Sequence, residues 1–123
     1  MERKPLIWIA SSKKDLSDFP EDVKKTMGYG LHQAQIGKKS DNAKPLKGFG
    51  GADILEIIDE DASGTYRTVY TVKFKDVILV LHAFQKKSKQ GIKTPEQDIN
   101  LIKNRFKQGQ ELYKELFSKS RKS

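Results

Sequence analysis

Several side chains between Lys44 and Lys93 are of types that could act together on a phosphodiester. The stretch YRTVYTVKF (Tyr66 to Phe74) carries Arg67, with Val69 and Thr71 on the same period-two face. In VILVLHAF (Val77 to Phe84), His82 and Phe84 share one face, and Lys86 continues that parity just past the end. Lys87, Lys89 and Lys93 follow in QKKSKQGIK, while Lys44 and Lys47 lie upstream, ahead of another strand-like run. A guanidinium fork matches pairs of phosphate oxygens, and clustered lysines neutralise a crowded phosphate. Cutting RNA without a metal also needs a base for the 2′-hydroxyl and an acid for the leaving oxygen. His82 is the one neighbour that titrates near neutrality by nature, and a desolvated lysine is another proton carrier.

Each of these residues has a plainer reading. Arg67 could be a solvent-facing strand residue paired with Glu56 or Asp59, and the Lys86, Lys87 and Lys89 run an exposed loop. The apolar neighbours of His82 favour a packed strand residue with one satisfied nitrogen. Their convergence on one region favours function. If the basic face meets RNA, the reversal Arg67→Glu should abolish activity and leave the fold intact.

Other chemistries find no support. The sequence has no P-loop, no GxGxxG after a strand and no HExxH. GFGG at Gly48 to Gly51 lacks the Lys-Ser/Thr of a nucleotide loop and precedes a strand, so it reads as a turn. His32 and His82 are fifty residues apart without obvious carboxylate partners, which points away from a metal site. No cofactor is implied.

The elements that must hold these residues can be read along the chain. Leu6 to Ala10 reads as a first strand, Asp15 to Phe19 as a brief helical turn, and Pro20 to Gly37 as a helix. Gly28 and Gly30 each weaken that helix by roughly 1 kcal/mol relative to alanine. Lys38 to Gly51 reads as a loop with one proline, Pro45, and three glycines. Asp53 to Asp59 is a second strand, Glu60 to Gly64 a turn, and Tyr66 to Phe74 a third strand. Lys75-Asp76 then connects to a fourth, Val77 to Phe84, apolar enough to be covered on both faces. Thr94-Pro95-Glu96-Gln97 has the make-up of an N-cap followed by a first-turn proline, opening a helix to about Phe117. Ile99, Ile102, Phe106, Tyr113 and Leu116 form its apolar stripe, interrupted at Gly109. The expected architecture is a single α+β domain over residues 1–123. An N-terminal strand and helix precede a three-stranded antiparallel meander and a long C-terminal helix, with one helical layer on a small sheet.

Charge narrows the partner. The chain has 123 residues and a formal net charge of +8. Residues 1–84 hold thirteen Lys/Arg against twelve Asp/Glu, whereas residues 85–123 hold eleven against four. An excess confined to the segment after the last strand points to a polyanion, nucleic acid or an acidic protein. No apolar stretch approaches a membrane span, and MERKPLIWIA is too short in apolar residues for a signal peptide. Without cysteine there are no disulfides or thiolate zinc sites, and the cytoplasm is the expected compartment.

Four segments in order resemble one family. KPLKGFGGADILEII, YRTVYTVKF, VILVLHAFQKKS and KTPEQDI are similar to the C-terminal half of RelE/ParE-superfamily toxins, most closely the phage-derived HigB-like branch. The resemblance covers Lys44 to Ile102. It implies a small toxin of a type II toxin–antitoxin system, inhibited by an antitoxin that is often a helix-turn-helix DNA-binding protein. It further implies cleavage of mRNA, mostly on the ribosome, without metal. In the ParE branch it implies inhibition of DNA gyrase instead, and an inactive phage-derived binding protein is a further alternative. By position, Arg67 matches the family's strand arginine, Lys86 and Lys87 its strand-closing basic residues, and Lys44 and Lys47 its basic positions upstream. With His82, these form the expected catalytic set of Arg67, Lys86 and Lys87, and RNA contacts fall to Lys44, Lys47, Phe84, Lys89 and Lys93. The tyrosine that some relatives carry after the last strand has no counterpart, since none lies between Tyr70 and Tyr113. The final helix is longer than the family needs, leaving its far end for a partner.

Overall fold

The apolar run VILVLHAF lies inside a five-stranded sheet, where a strand covered on both faces belongs. The computed structural model describes residues 3–50, 53–86 and 94–118. In chain order these form β1 (Leu6–Trp8), α1 (Ser12–Ser17), α2 (Glu21–Gln35), β2 (Ala43–Pro45), β3 (Ile54–Asp61), β4 (Gly64–Thr71), β5 (Ile78–Lys86) and α3 (Glu96–Ser118). The sheet order is β1-β5-β4-β3-β2, with β1 parallel to β5 and every other pair antiparallel. The expected meander is therefore present as β3-β4-β5. It gains an edge strand on each side, one of them a three-residue β2 inside the stretch expected to be loop.

Helices cover both faces of the sheet, not one. Along β5, Ile78, Val80 and Ala83 pack with Leu16 of α1 and Val23, Met27 and Leu31 of α2. Leu79 and Leu81 face the other way, with Val69 and Ile54, onto Ile102 and the half-buried Ile99, Phe106 and Tyr113 of α3. The two layers approach closely because a glycine sits at each contact. A Cβ at Gly30 would lie 2.7 Å from Ile57 Cδ1, and one at Gly109 would lie 2.6 Å from Leu79 Cδ1. Gly109 thus does not interrupt the apolar stripe; it is where α3 touches β5.

Local signals place the ends. Pro20 and Pro95 precede their helices instead of opening them, each accepting the first helical hydrogen bond, Lys24 N–H to Pro20 O at 2.9 Å and Ile99 N–H to Pro95 O at 3.0 Å. Gly37, at φ 82°, ends α2 as expected. Ala10, at φ 51°, turns the chain out of β1 earlier than the apolar run suggested. β4 stops at Thr71, so its connection to β5 is longer than the expected two residues.

A candidate phosphodiester site beside the third helix

The register brings Lys44, Arg67, His82, Phe84 and Lys86 to one face of the sheet. Lys44 stands opposite Glu56, Glu56 opposite Val69, and Val69 opposite His82. The next row sets Ile58, Arg67 and Phe84 side by side, and the row beyond it sets Thr65 against Lys86. This alignment depends on a bulge. Val69 pairs with His82 but Tyr70 pairs with Val80, so Leu81 is an extra residue on β5. His82, Phe84 and Lys86 thereby take the α3 face, the one that Leu79 and Leu81 also occupy.

Between the segment following β2 and the start of α3 lies a cleft of about 470 Å³. Exposed Lys44 and Lys47 stand on one side, Thr94, Glu96 and Ile99 on the other, and buried Glu56 lines it from the sheet. Arg67 joins two of these walls. Its Nη1 donates to Glu56 Oε1 at 2.7 Å and to Thr94 Oγ1 at 3.2 Å. The Thr94 hydroxyl, expected as a helix cap, is thus turned to the guanidinium. Arg67 is 3% exposed, so the solvent-facing alternative does not hold, although its partner is the expected Glu56. Burial also overturns the expectation that Arg67→Glu would spare the fold, because that change sets two carboxylates together out of water.

His82 lies apart from this cleft, beneath the first turns of α3. Its Nε2 is 2.8 Å from Asp98 Oδ1, and Arg105 Nη1 stands 3.4 Å from its Nδ1. An arginine can only donate, so this arrangement fits the neutral tautomer with the proton on Nε2, given to Asp98. Arg105 also donates to Leu81 O at 3.0 Å and to Ser11 Oγ at 3.1 Å, tying α3 to β5 and to the entry of α1. Burial, and secondarily Arg105, depresses the His82 pKa below its ordinary value against the opposing pull of Asp98. The ring stacks on half-buried Phe84, with centroids 4.7 Å apart. The expectation that His82 has no carboxylate partner is thus corrected.

Lys44 and Lys47 therefore share the cleft, Arg67 sits behind its wall, and His82 and Phe84 pack together under α3. Lys86 is half-buried at the end of β5. Lys87, Lys89 and Lys93 lie outside the described residues. Sequence reasoning considered Glu56 only as a surface partner and did not single out Asp98 or Arg105. A signal for the last two existed: Asp98, Ile102 and Arg105 follow i, i+4, i+7 spacing, which puts both charges on the edge of the core-facing stripe. Among the described residues no group of three or more His, Asp or Glu side chains could hold a metal ion, and no helix is long and apolar enough to cross a membrane.

Comparison with known proteins places the fold and the family. No curated protein matches the chain. The free state of a doubly arginine-substituted mutant of the Escherichia coli toxin RelE is similar in structure, with a TM-score of 0.52 and 18% identity over 72% of this chain and 88% of that one. The toxin–antitoxin complex RelBE2 of Mycobacterium tuberculosis gives a TM-score of 0.47 and 16% identity over 72% of this chain and 97% of its own. The architecture is thus the RelE-like α+β fold that the sequence led us to expect. The family model described as "Phage derived protein Gp49-like (DUF891)" matches residues 14–107, and the chain belongs to that phage-derived family.

Proposed function

We propose that the chain is the toxin of a type II toxin–antitoxin system, of the HigB-like branch, and that it cleaves mRNA on the ribosome without a metal ion. The cleft carries this reading: it unites two exposed lysines with a buried carboxylate on a RelE-like scaffold. Lys44 and Lys47 would hold the scissile phosphate and offset the charge that grows on it. Glu56 has Oε1 taken by Arg67, which leaves Oε2 to accept the 2′-hydroxyl proton as the oxygen attacks phosphorus. The 5′-oxygen then departs with a proton from a lysine ammonium, Lys44 or Lys47, the two that line the cleft, since Lys86 closes β5 two same-face rows beyond His82. In this mechanism Arg67 is a positioning residue that fixes Glu56 and the start of α3. In this reading an antitoxin is the partner and the cytoplasm the place of action.

A second reading, a non-nuclease binding protein of the gyrase-inhibiting or inactive phage-derived kind, draws on one observation. Arg67 and His82, the residues best suited to catalysis by type, are both buried in pairs with carboxylates.

Expression of the full chain with mapping of RNA 5′ ends separates the two. Cleavage and growth arrest should follow in the wild type. Lys44→Ala/Lys47→Ala should lose about a hundredfold or more in cleavage while remaining folded. Arrest with intact mRNA and broken DNA would overturn the nuclease reading in favour of the second.

A further inference from the structure

The outer face of α3 carries part of the charge excess of the last 39 residues. Ile102, Phe106 and Tyr113 turn toward the sheet. Lys103 and Lys107 stand one turn apart on the side away from it, exposed, and neither makes a salt bridge among the described residues. About 90° further round the helix runs a second exposed stripe of Gln97, Asn100, Asn104 and Gln108, about 16 Å long. These carboxamides line a groove of about 470 Å³ between α3 and Ala10, with half-buried Leu101 in its wall. Two of the three asparagines in the chain are on this stripe, where lysine and glutamate would solvate a helix better.

We propose that this outer face of α3 is an RNA-docking surface distinct from the cleft. Lys103 and Lys107 contact phosphates, and the carboxamide groove receives unpaired bases. Neutral amides offer a donor and an acceptor together, the combination that base edges pair with, while lysines supply the sequence-independent attraction. A protein partner fits less well. Protein interfaces are depleted in lysine and built on aromatic anchors, and the aromatic residues of α3 face the sheet. Glu111 and Glu115 continue the amide stripe, so RNA is confined to the first three turns. Those turns flank the cleft: Thr94, Glu96 and Ile99 line one side of the helix start, and Gln97, Asn100 and Leu101 line the other. One strand crossing the first turn would occupy both, which rests on the reading of the cleft as an RNA site.

The test is anisotropy of a fluorescein-labelled single-stranded RNA of about twenty nucleotides with the full chain, titrated across salt. Lys103→Ala/Lys107→Ala should lower the salt slope by about 1.4 and weaken binding about tenfold at 0.1 M salt. Lys103→Arg/Lys107→Arg should restore both. Asn100→Ala/Asn104→Ala/Gln108→Ala should weaken binding about fivefold or more with the slope unchanged. All these positions are exposed, and thermal melting checks that each variant folds. Variants that bind RNA as the wild type does overturn the proposal. So does a loss confined to antitoxin binding, which would make the face a protein interface. RNA held through α3 but never cut supports the docking surface and removes the nuclease reading alone.

Discussion

Arg67→Met should destabilise the fold before it tells anything about catalysis, and the structure gives the size of the effect. The guanidinium is 3% exposed and bonded at 2.7 Å to a glutamate that is itself 3% exposed. Removing one member leaves the other buried without its counter-charge, at a cost of about 3–5 kcal/mol. Domains of this kind have about 5–15 kcal/mol in total, so about a fifth or more of the stability goes. At about 4 °C per kcal/mol for a chain of this length, the melting temperature falls by about 12–20 °C. Glu56→Leu should cost a comparable amount, since it strands the arginine. The double variant Arg67→Met/Glu56→Leu behaves differently. Its side chains would lie opposite Phe84 and Val69, apolar cross-strand neighbours, and should return stability to within about 1–2 kcal/mol of the wild type. Urea unfolding followed by circular dichroism measures the four corners of this cycle, with a coupling of about 3 kcal/mol or more expected. Cleavage of RNA by the folded double variant, run in parallel, should be absent because Glu56 is gone. Single variants that each lose under about 1 kcal/mol, or a double variant as unstable as the two costs added, would refute the account of the pair.

Further outcomes follow from other contacts. Gly28→Ala should raise stability by about 0.5–1 kcal/mol, because its Cβ would meet nothing within 4 Å. Gly30→Ala should instead lower it by about 1–2 kcal/mol, since three atoms of buried Ile57 lie within 3.3 Å and its branched Cβ leaves little room to turn. A melting curve of each decides, and a gain at Gly30 would contradict the packing described. Burial keeps the folded His82 pKa below its ordinary 6.5, so between those values the unfolded chain binds more protons. Stability should therefore rise with pH through that window and decline as pH falls below 6.5, and His82→Gln should remove most of this slope. Urea midpoints measured on both sides of 6.5 test it, and an equal slope in the variant would show that another group is responsible. Tyr113→Phe deletes a 2.8 Å hydrogen bond to Asp76 and should cost about 0.5–1.5 kcal/mol by the same measurement.

The sequence carried the elements more fully than their arrangement. VILVLHAF announced a doubly covered strand because almost every residue in it is apolar, and Ile99, Ile102 and Phe106 announced α3 by their spacing. β2 was hidden because three residues, one of them Pro45, have no period to detect. The second helical layer was hidden because amphipathic stripes show that a helix packs, not which face of the sheet receives it. At the site, parity correctly grouped His82, Phe84 and Lys86. Burial did not follow from parity, so Arg67 read as a surface residue until α3 was seen to lie over it. Asp98 lies sixteen residues after His82, and its pairing with it arises from tertiary packing that no local spacing encodes.

The bulge at Leu81 shows how a local irregularity determines what the site contains. A one-residue slip in register turns every side chain to the opposite face. Without the bulge, β5 beyond Leu81 would present Ala83 and Gln85 to α3 and turn His82, Phe84 and Lys86 toward α1 and α2. The first turns of α3 would then lose the imidazole that Asp98 and Arg105 grip. The helix start would then be held by the contact of Thr94 with Arg67 and by the packing of Ile99 and Ile102. Since the cleft has the start of α3 as one wall, its shape depends on both anchors: the Arg67 pair at the wall and the His82 pair under the helix. Weakening the His82 anchor should therefore alter the cleft without touching any residue that lines it. In the proposed nuclease, His82→Ala should slow cleavage even though His82 itself lies apart from the cleft, and Asp98→Ala should slow it similarly. If instead His82→Ala leaves cleavage unchanged in a folded chain, the shape of the cleft does not depend on the His82 anchor.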